Sequence, residues 1–171
     1  YEIPKRDWSS DVCSSDLIEL GAHIVTPNKK ANVLPWKRYT ALMETFAAAE
    51  RHFLFSANVG AGLPVLATLS DLLASGDRVR RIEGIFSGTL SYLFNQFDGS
   101  CAFSSLVKSA KELGFTEPDP RVDLSGGDVA VKLLVLARQL GWKLDLQEVS
   151  VESLILADDD IARRHARACE D

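Results

Sequence analysis

Gly114-Phe115-Thr116-Glu117-Pro118-Asp119-Pro120-Arg121-Val122-Asp123-Leu124-Ser125-Gly126-Gly127-Asp128-Val129-Ala130-Val131-Lys132 joins a part that cannot be regular to a part that must be helical. Two prolines fix φ and restrict the residues before them, so Thr116 to Pro120 is expected to run as an extended, solvent-edged loop. After Gly126-Gly127 the spacing changes. Val129, Leu133, Leu136 and Leu140 recur with the helical period, and Gly141 is a natural stop. Asp128 then falls in the first helical turn, where a carboxylate suits the positive end of the helix dipole. Lys132 follows four residues later on the same face.

Four acids, Glu117, Asp119, Asp123 and Asp128, crowd this loop and its exit. One reading is a surface ion pair beside a solvated loop, worth little. The other is a polar pocket in which Lys132 moves a proton and the carboxylates hold an amino-bearing substrate. Spacing alone leaves both open. The wording is more specific: Gly-Phe-Thr-Glu-Pro-Asp-Pro-Arg, then Asp-Leu-Ser-Gly-x-Asp-Val-Ala-x-Lys, closely resembles the catalytic segment of homoserine dehydrogenase.

Composition bounds the alternatives. The chain has 171 residues and 46% hydrophobic content, enough for one well-buried domain or a large piece of two. A net charge of −5 without a basic block argues against a nucleic-acid partner. No apolar run approaches the roughly 20 residues that span a bilayer, so no membrane partner is expected. Cys13, Cys101 and Cys169 are odd in number and scattered, as are His23, His52 and His165. Neither set has metal-ligand spacing, and the cysteine usage leads to the expectation of a cytoplasmic protein.

Residues 1 to 17 read as foreign. Asp7 to Leu17 is polar, nearly self-repeating and without either secondary-structure period. It back-translates into a widely used DNA-sequencing adapter, which points to an assembly artefact fused to a truncated reading frame. An intact genomic read encoding these residues would sink that idea. From Ile18 the chain makes sense: Ala22 to Thr26 is predicted as a short buried strand, closed by a turn at Pro27-Asn28. Trp36 to His52 carries Tyr39, Leu42, Met43 and Phe46 at helical spacing, a core-facing helix. Phe53 to Phe55 reads as a strand, Leu66 to Ala74 as a helix, and Val79 to Phe86 as a strand. Gly60-Ala61-Gly62 is not a dinucleotide fingerprint, because Pro64 stands where a third glycine belongs. At Ser87-Gly88-Thr89 a strand hands over to a helix, either as a plain N-cap or as a place where free N–H groups receive an anion. Phe103 to Leu113 is predicted as a helix with Lys108 and Lys111 in water. Val149 to Leu156 is predicted as a strand, broken by Asp158-Asp159-Asp160 before a polar helix.

The resemblance runs from about Gly21 to Leu154. It implies an α/β fold: the C-terminal remnant of a Rossmann-type nucleotide-binding domain, then an α+β substrate domain. That second domain has an open sheet covered by helices on one face, with the other face pairing two subunits. The divisions expected are 1–17 (artefact), 18–32 (end of the nucleotide-binding domain), 33–157 (catalytic and dimerisation domain) and 158–171 (polar tail). The implied reaction interconverts L-homoserine and L-aspartate 4-semialdehyde with NADP or NAD, a step towards threonine, methionine and isoleucine. By resemblance Lys132 is the proton donor and Asp128 orients it. Glu117 binds the substrate ammonium with Asp123 in support, and Gly88, Thr89 and Phe115 border the substrate. Thr-Pro-Asn-Lys-Lys-Ala places Lys29 near the nicotinamide. The backbone oxygens of Val59, Ala61 and Leu63 are those the family offers to a monovalent cation such as sodium, although Ser56 stands in place of a family glutamate.

Phe97-Asp98-Gly99-Ser100 and Val151-Glu152-Ser153-Leu154 resemble, more narrowly, the dehydrogenase half of bifunctional aspartokinase–homoserine dehydrogenases. Three departures stand out: Val131 for an arginine, Val122 for one of two neighbouring acids, and Phe115 where tyrosine also occurs. The glycine-rich turn that holds the cofactor pyrophosphate is missing from the sequence. The chain by itself is therefore expected to be inactive. The rival readings are a folded, non-catalytic fragment and a related dehydrogenase of small amino acids.

Overall fold

The computed structural model describes residues 17–155; the expectations for residues 1 to 16 and beyond Ile155 lie outside them. The described residues form two compact units, one of 17–82 with Val131–Val149, the other of Glu83–Ala130 with 150–155.

The first unit opens with strand β1 (Ile24–Val25), which pairs in parallel with β2 (Phe53–Leu54), Ile24 opposite Phe53 and Val25 opposite Leu54. A parallel pair needs a crossover, and helix α1 (Trp36–Ala48) supplies it. Pro35 fits immediately before the first turn, where an N–H has no helical partner anyway. Tyr39 and Phe46 of α1 are buried, as the helical spacing implies, whereas Leu42 and Met43 are half-buried. Helix α2 (Val65–Ala74) buries Leu66 and Leu69 and closes at Gly76, whose φ of +87° suits glycine.

The second unit holds α3 (Gly88–Gln96), α4 (Phe103–Glu112) and the one-turn α5 (Pro120–Leu124). Leu93 and Ala110 are fully buried in it. Helix α6 (Gly127–Gln139) begins in this unit and ends in the first. Gly141 follows it with φ +79°, and Trp142 N–H donates to the Ala137 carbonyl at 3.0 Å, which fixes the stop.

Three expectations need correction. The apolar stripe of α6 is not the one the period suggests: Ala130 and the run Leu134 to Arg138 are buried, while Leu133 is 38% exposed. The helix is enclosed on most sides in its second half, so periodicity alone could not find its core face. The loop after Thr116 is shorter than expected, because Pro120 starts α5 with Asp119 as its cap. Val79 to Phe86 and the described part of Val149 to Leu156 belong to no strand; the sheet among the described residues is two-stranded. A strand exists only as one side of a ladder, and neither segment has its other side.

Candidate active site

In the second unit the acidic loop is a built object. Ser87 caps α3 by accepting the Leu90 N–H at 3.1 Å. That leaves Gly88 exposed, with open space where a side chain would stand, and sets Thr89 in the first turn. The Thr89 hydroxyl donates to the Phe115 carbonyl at 2.8 Å and lies 3.0 Å from Asp123 Oδ1. The other carboxylate oxygen of Asp123 accepts the Glu117 N–H at 2.9 Å. One half-buried carboxylate thus ties the start of α3 to the backbone of the loop. Phe115 stacks obliquely on Tyr92, ring centroids 4.6 Å apart, and the Glu117 carboxylate is left exposed.

Asp119 serves the fold of this loop. It caps α5 through the Arg121 N–H at 3.0 Å and grips the Arg121 guanidinium at 2.7 to 3.0 Å. The hydrogen bond to that guanidinium, followed by the one to the Arg121 backbone, lowers the Asp119 carboxyl to about 2. Gly126 turns the chain into α6 with φ +76°, and a Cβ there would stand 2.8 Å from Val151 Cγ1. Asp128 is exposed in the first turn of α6, and Lys132, half-buried, follows one turn later.

In the first unit the carboxyl ends of the two parallel strands carry the remaining candidates. The turn after β1 is held by Asn28 N–H on Thr26 Oγ1 at 3.0 Å and Lys30 N–H on Asn28 Oδ1 at 2.9 Å, with half-buried Lys29 between them. After β2, Gly60 and Ala61 both take positive φ, +82° and +50°. Val59 is buried, Ala61 and Leu63 are exposed, and the Leu63 carbonyl already accepts the Val65 N–H at 2.8 Å.

Sequence reasoning missed three buried polar residues here: Asn32, Asn58 and Arg138. Arg138 donates to the Asn32 carbonyl at 2.7 Å, to the Leu144 carbonyl at 2.9 and 3.1 Å, and to Asp145 at 3.0 Å. Its guanidinium also lies 4.7 Å from the Tyr39 ring centre and 5.6 Å from that of Trp36. The available signal was the arginine itself, set where the i+4 row from Leu134 asks for an apolar residue.

The homoserine dehydrogenase family model matches residues 64–170. The chain belongs to the homoserine dehydrogenase family. It is 54% identical over 140 residues to "Bifunctional aspartokinase/homoserine dehydrogenase 2, chloroplastic" of Zea mays, covering 82% of this chain and 15% of that one. The bifunctional enzyme 2 of Escherichia coli K12 is 49% identical over 142 residues, 83% of this chain and 18% of that one. A crystal structure of a homoserine dehydrogenase from Thiobacillus denitrificans superposes with a TM-score of 0.68 at 29% identity, covering 90% of this chain and 35% of that one. This homoserine dehydrogenase segment thus spans less than a fifth of these curated relatives. The likeness supports an α/β fold, and no helix among the described residues is long and apolar enough to cross a membrane.

Proposed function

We propose that this chain is the substrate-binding segment of a homoserine dehydrogenase, which interconverts L-homoserine and L-aspartate 4-semialdehyde. The observation that carries the reading is the Asp123 clamp. It holds the Glu117 backbone and the Thr89 hydroxyl on its two oxygens. Glu117, its carboxylate exposed, binds the substrate ammonium by a charge-assisted hydrogen bond. Gly88 and Thr89 border the substrate, and Phe115, braced by Tyr92, gives it an apolar edge. Reduction of the aldehyde puts negative charge on its oxygen, and Lys132 donates the proton that quenches it. Asp128, one turn back on α6, orients Lys132.

NADP or NAD supplies or accepts the hydride when bound. The turn after β1 fits such a group: it lies at the carboxyl ends of parallel strands, where ligands of open α/β sheets bind. Lys29 is its residue towards the cofactor. The carbonyls of Val59, Ala61 and Leu63 are neutral oxygen donors and fit a singly charged hard cation such as sodium; among the described residues no set of three His, Cys, Asp or Glu side chains fits a metal. The substrate domain pairs with a second copy of the chain through its open face, and the unladdered segments Val79 to Phe86 and 149–155 gain a hydrogen-bonding partner in that dimer. Residues 18–32 close the nucleotide-binding domain and 33–157 form the catalytic one. An aspartokinase half in the same polypeptide, as in the maize and E. coli relatives, and a reducing compartment complete the proposal.

The test joins this chain to the nucleotide-binding half of the E. coli relative and follows NADPH oxidation with aspartate semialdehyde. Turnover is expected. A folded, cofactor-binding hybrid without turnover would overturn the reading.

A further inference from the structure

Asn32 and Asn58 are each 1% exposed, and nothing in the reaction chemistry uses them. A buried amide without partners costs about 1 to 3 kcal/mol, so such groups persist where their bonds hold something in place. The two side chains meet at 2.8 Å. Turning the Asn58 amide so that its nitrogen faces acceptors lets it donate to the Pro27 carbonyl at 2.9 Å and the Thr26 carbonyl at 3.2 Å; its oxygen then stands 2.8 Å from Asn32 Oδ1, so the Asn32 amide turns with it and donates its N–H to that oxygen. In the opposite orientation the Asn32 Nδ2 has no partner and the Asn58 oxygen faces two carbonyls. The first orientation is therefore the physical one.

The placement of this pair gives it a use. Thr26 and Pro27 begin the turn that carries Lys29, and Asn58 immediately precedes the loop of Val59, Ala61 and Leu63. Asn58 thus bolts together the loops at the carboxyl ends of both parallel strands. Asn32 anchors the bolt, because its own carbonyl is held by the buried Arg138 at 2.7 Å. We propose that Asn58 is a positioning residue, held by Asn32, that fixes the turn presenting Lys29 to the nicotinamide cofactor. The inference rests on the cofactor role proposed for Lys29.

The experiment has two arms. Amide hydrogen exchange is read on the 171-residue chain, and initial rates are read on the full-length enzyme carrying it. For Asn58→Leu, the Asn28 and Lys30 amides should exchange about 10-fold faster, while those of residues 134–137 change less than about twofold. In the enzyme, the KM for NADPH should rise about 10-fold with kcat nearly unchanged. Asn58→Asp, which sets oxygen against two carbonyls, should act in the same direction. Asn58→Thr keeps one donor and should fall between, and it replaces Asn58→Leu should that variant fail to fold. Equal acceleration of every amide would reveal a merely structural role and overturn the proposal. So would unchanged exchange at Asn28 and Lys30, or a loss confined to kcat. If the unmutated full-length protein lacks dehydrogenase activity, the functional reading falls, and the exchange contrast alone still decides whether Asn58 positions the turn.

Discussion

Lys132 and Asp119 illustrate how differently two charged residues of one motif act. In the full-length enzyme, Lys132→Ala should lower turnover by about 10² to 10⁴ with substrate KM little changed, as expected for a lost proton donor. Stopped-flow rates would show it, and unchanged turnover would remove Lys132 from the chemistry. Asp119 has its groups occupied by Arg121 and by the α5 cap. Its carboxyl, lowered to about 2, should titrate with that midpoint in a carbon-detected NMR series. Since the folded value is the depressed one, the stabilisation it gives is complete above the ordinary carboxylate range, near 3.9, and disappears as pH falls through about 2. A midpoint near 4 would mean that the Arg121 grip is absent in solution.

At the scale of elements, the glycines at the two ends of α6 separate conformational from steric demands. Gly141 and Gly126 share a left-handed φ, +79° and +76°, but a Cβ at Gly141 meets nothing within 4 Å whereas one at Gly126 meets Val151 at 2.8 Å. Gly141→Ala should cost about 1 kcal/mol and Gly126→Ala about 2 to 3 kcal/mol, read as shifts of the urea midpoint. Equal costs would show that Val151 yields freely. The ends of this helix could be read from the sequence because caps and stops are local: Gly126-Gly127 and Gly141 act within a few residues of themselves. The strand expected over Val79 to Phe86 could not be checked that way, since a strand depends on a partner remote in the chain. The acidic loop was legible through its wording, but the Thr89–Asp123–Glu117 geometry was not, because 34 positions separate Thr89 from Asp123. Asn32, Asn58 and Arg138 escaped for a simpler reason. Polar side chains are read as solvated unless their partners are visible, and those partners lie up to 106 positions away.

For the whole molecule the issue is what covers the exposed apolar side chains of the second unit. Ile85 is 74% exposed, Leu154 46% and Val151 44%. Isolated apolar residues on a surface are ordinary, but these lie on the segments proposed to gain a partner in the dimer. Ile85→Lys should therefore shift the protein from dimer to monomer in light scattering without altering its far-ultraviolet dichroism. A dimer that survives the change would point to a different interface.

The backbone around Arg80 and Arg81 also has a practical consequence. Both residues are exposed on a stretch with no regular hydrogen-bonded ladder, the conformation a protease active site requires of its substrate. Trypsin should nick here early, while the basic residues within α1 resist. If a second copy lays a strand along this stretch, the bond is shielded in proportion to the fraction assembled. The survival of the Arg80–Arg81 bond over a dilution series then becomes a ruler for association, readable on a gel.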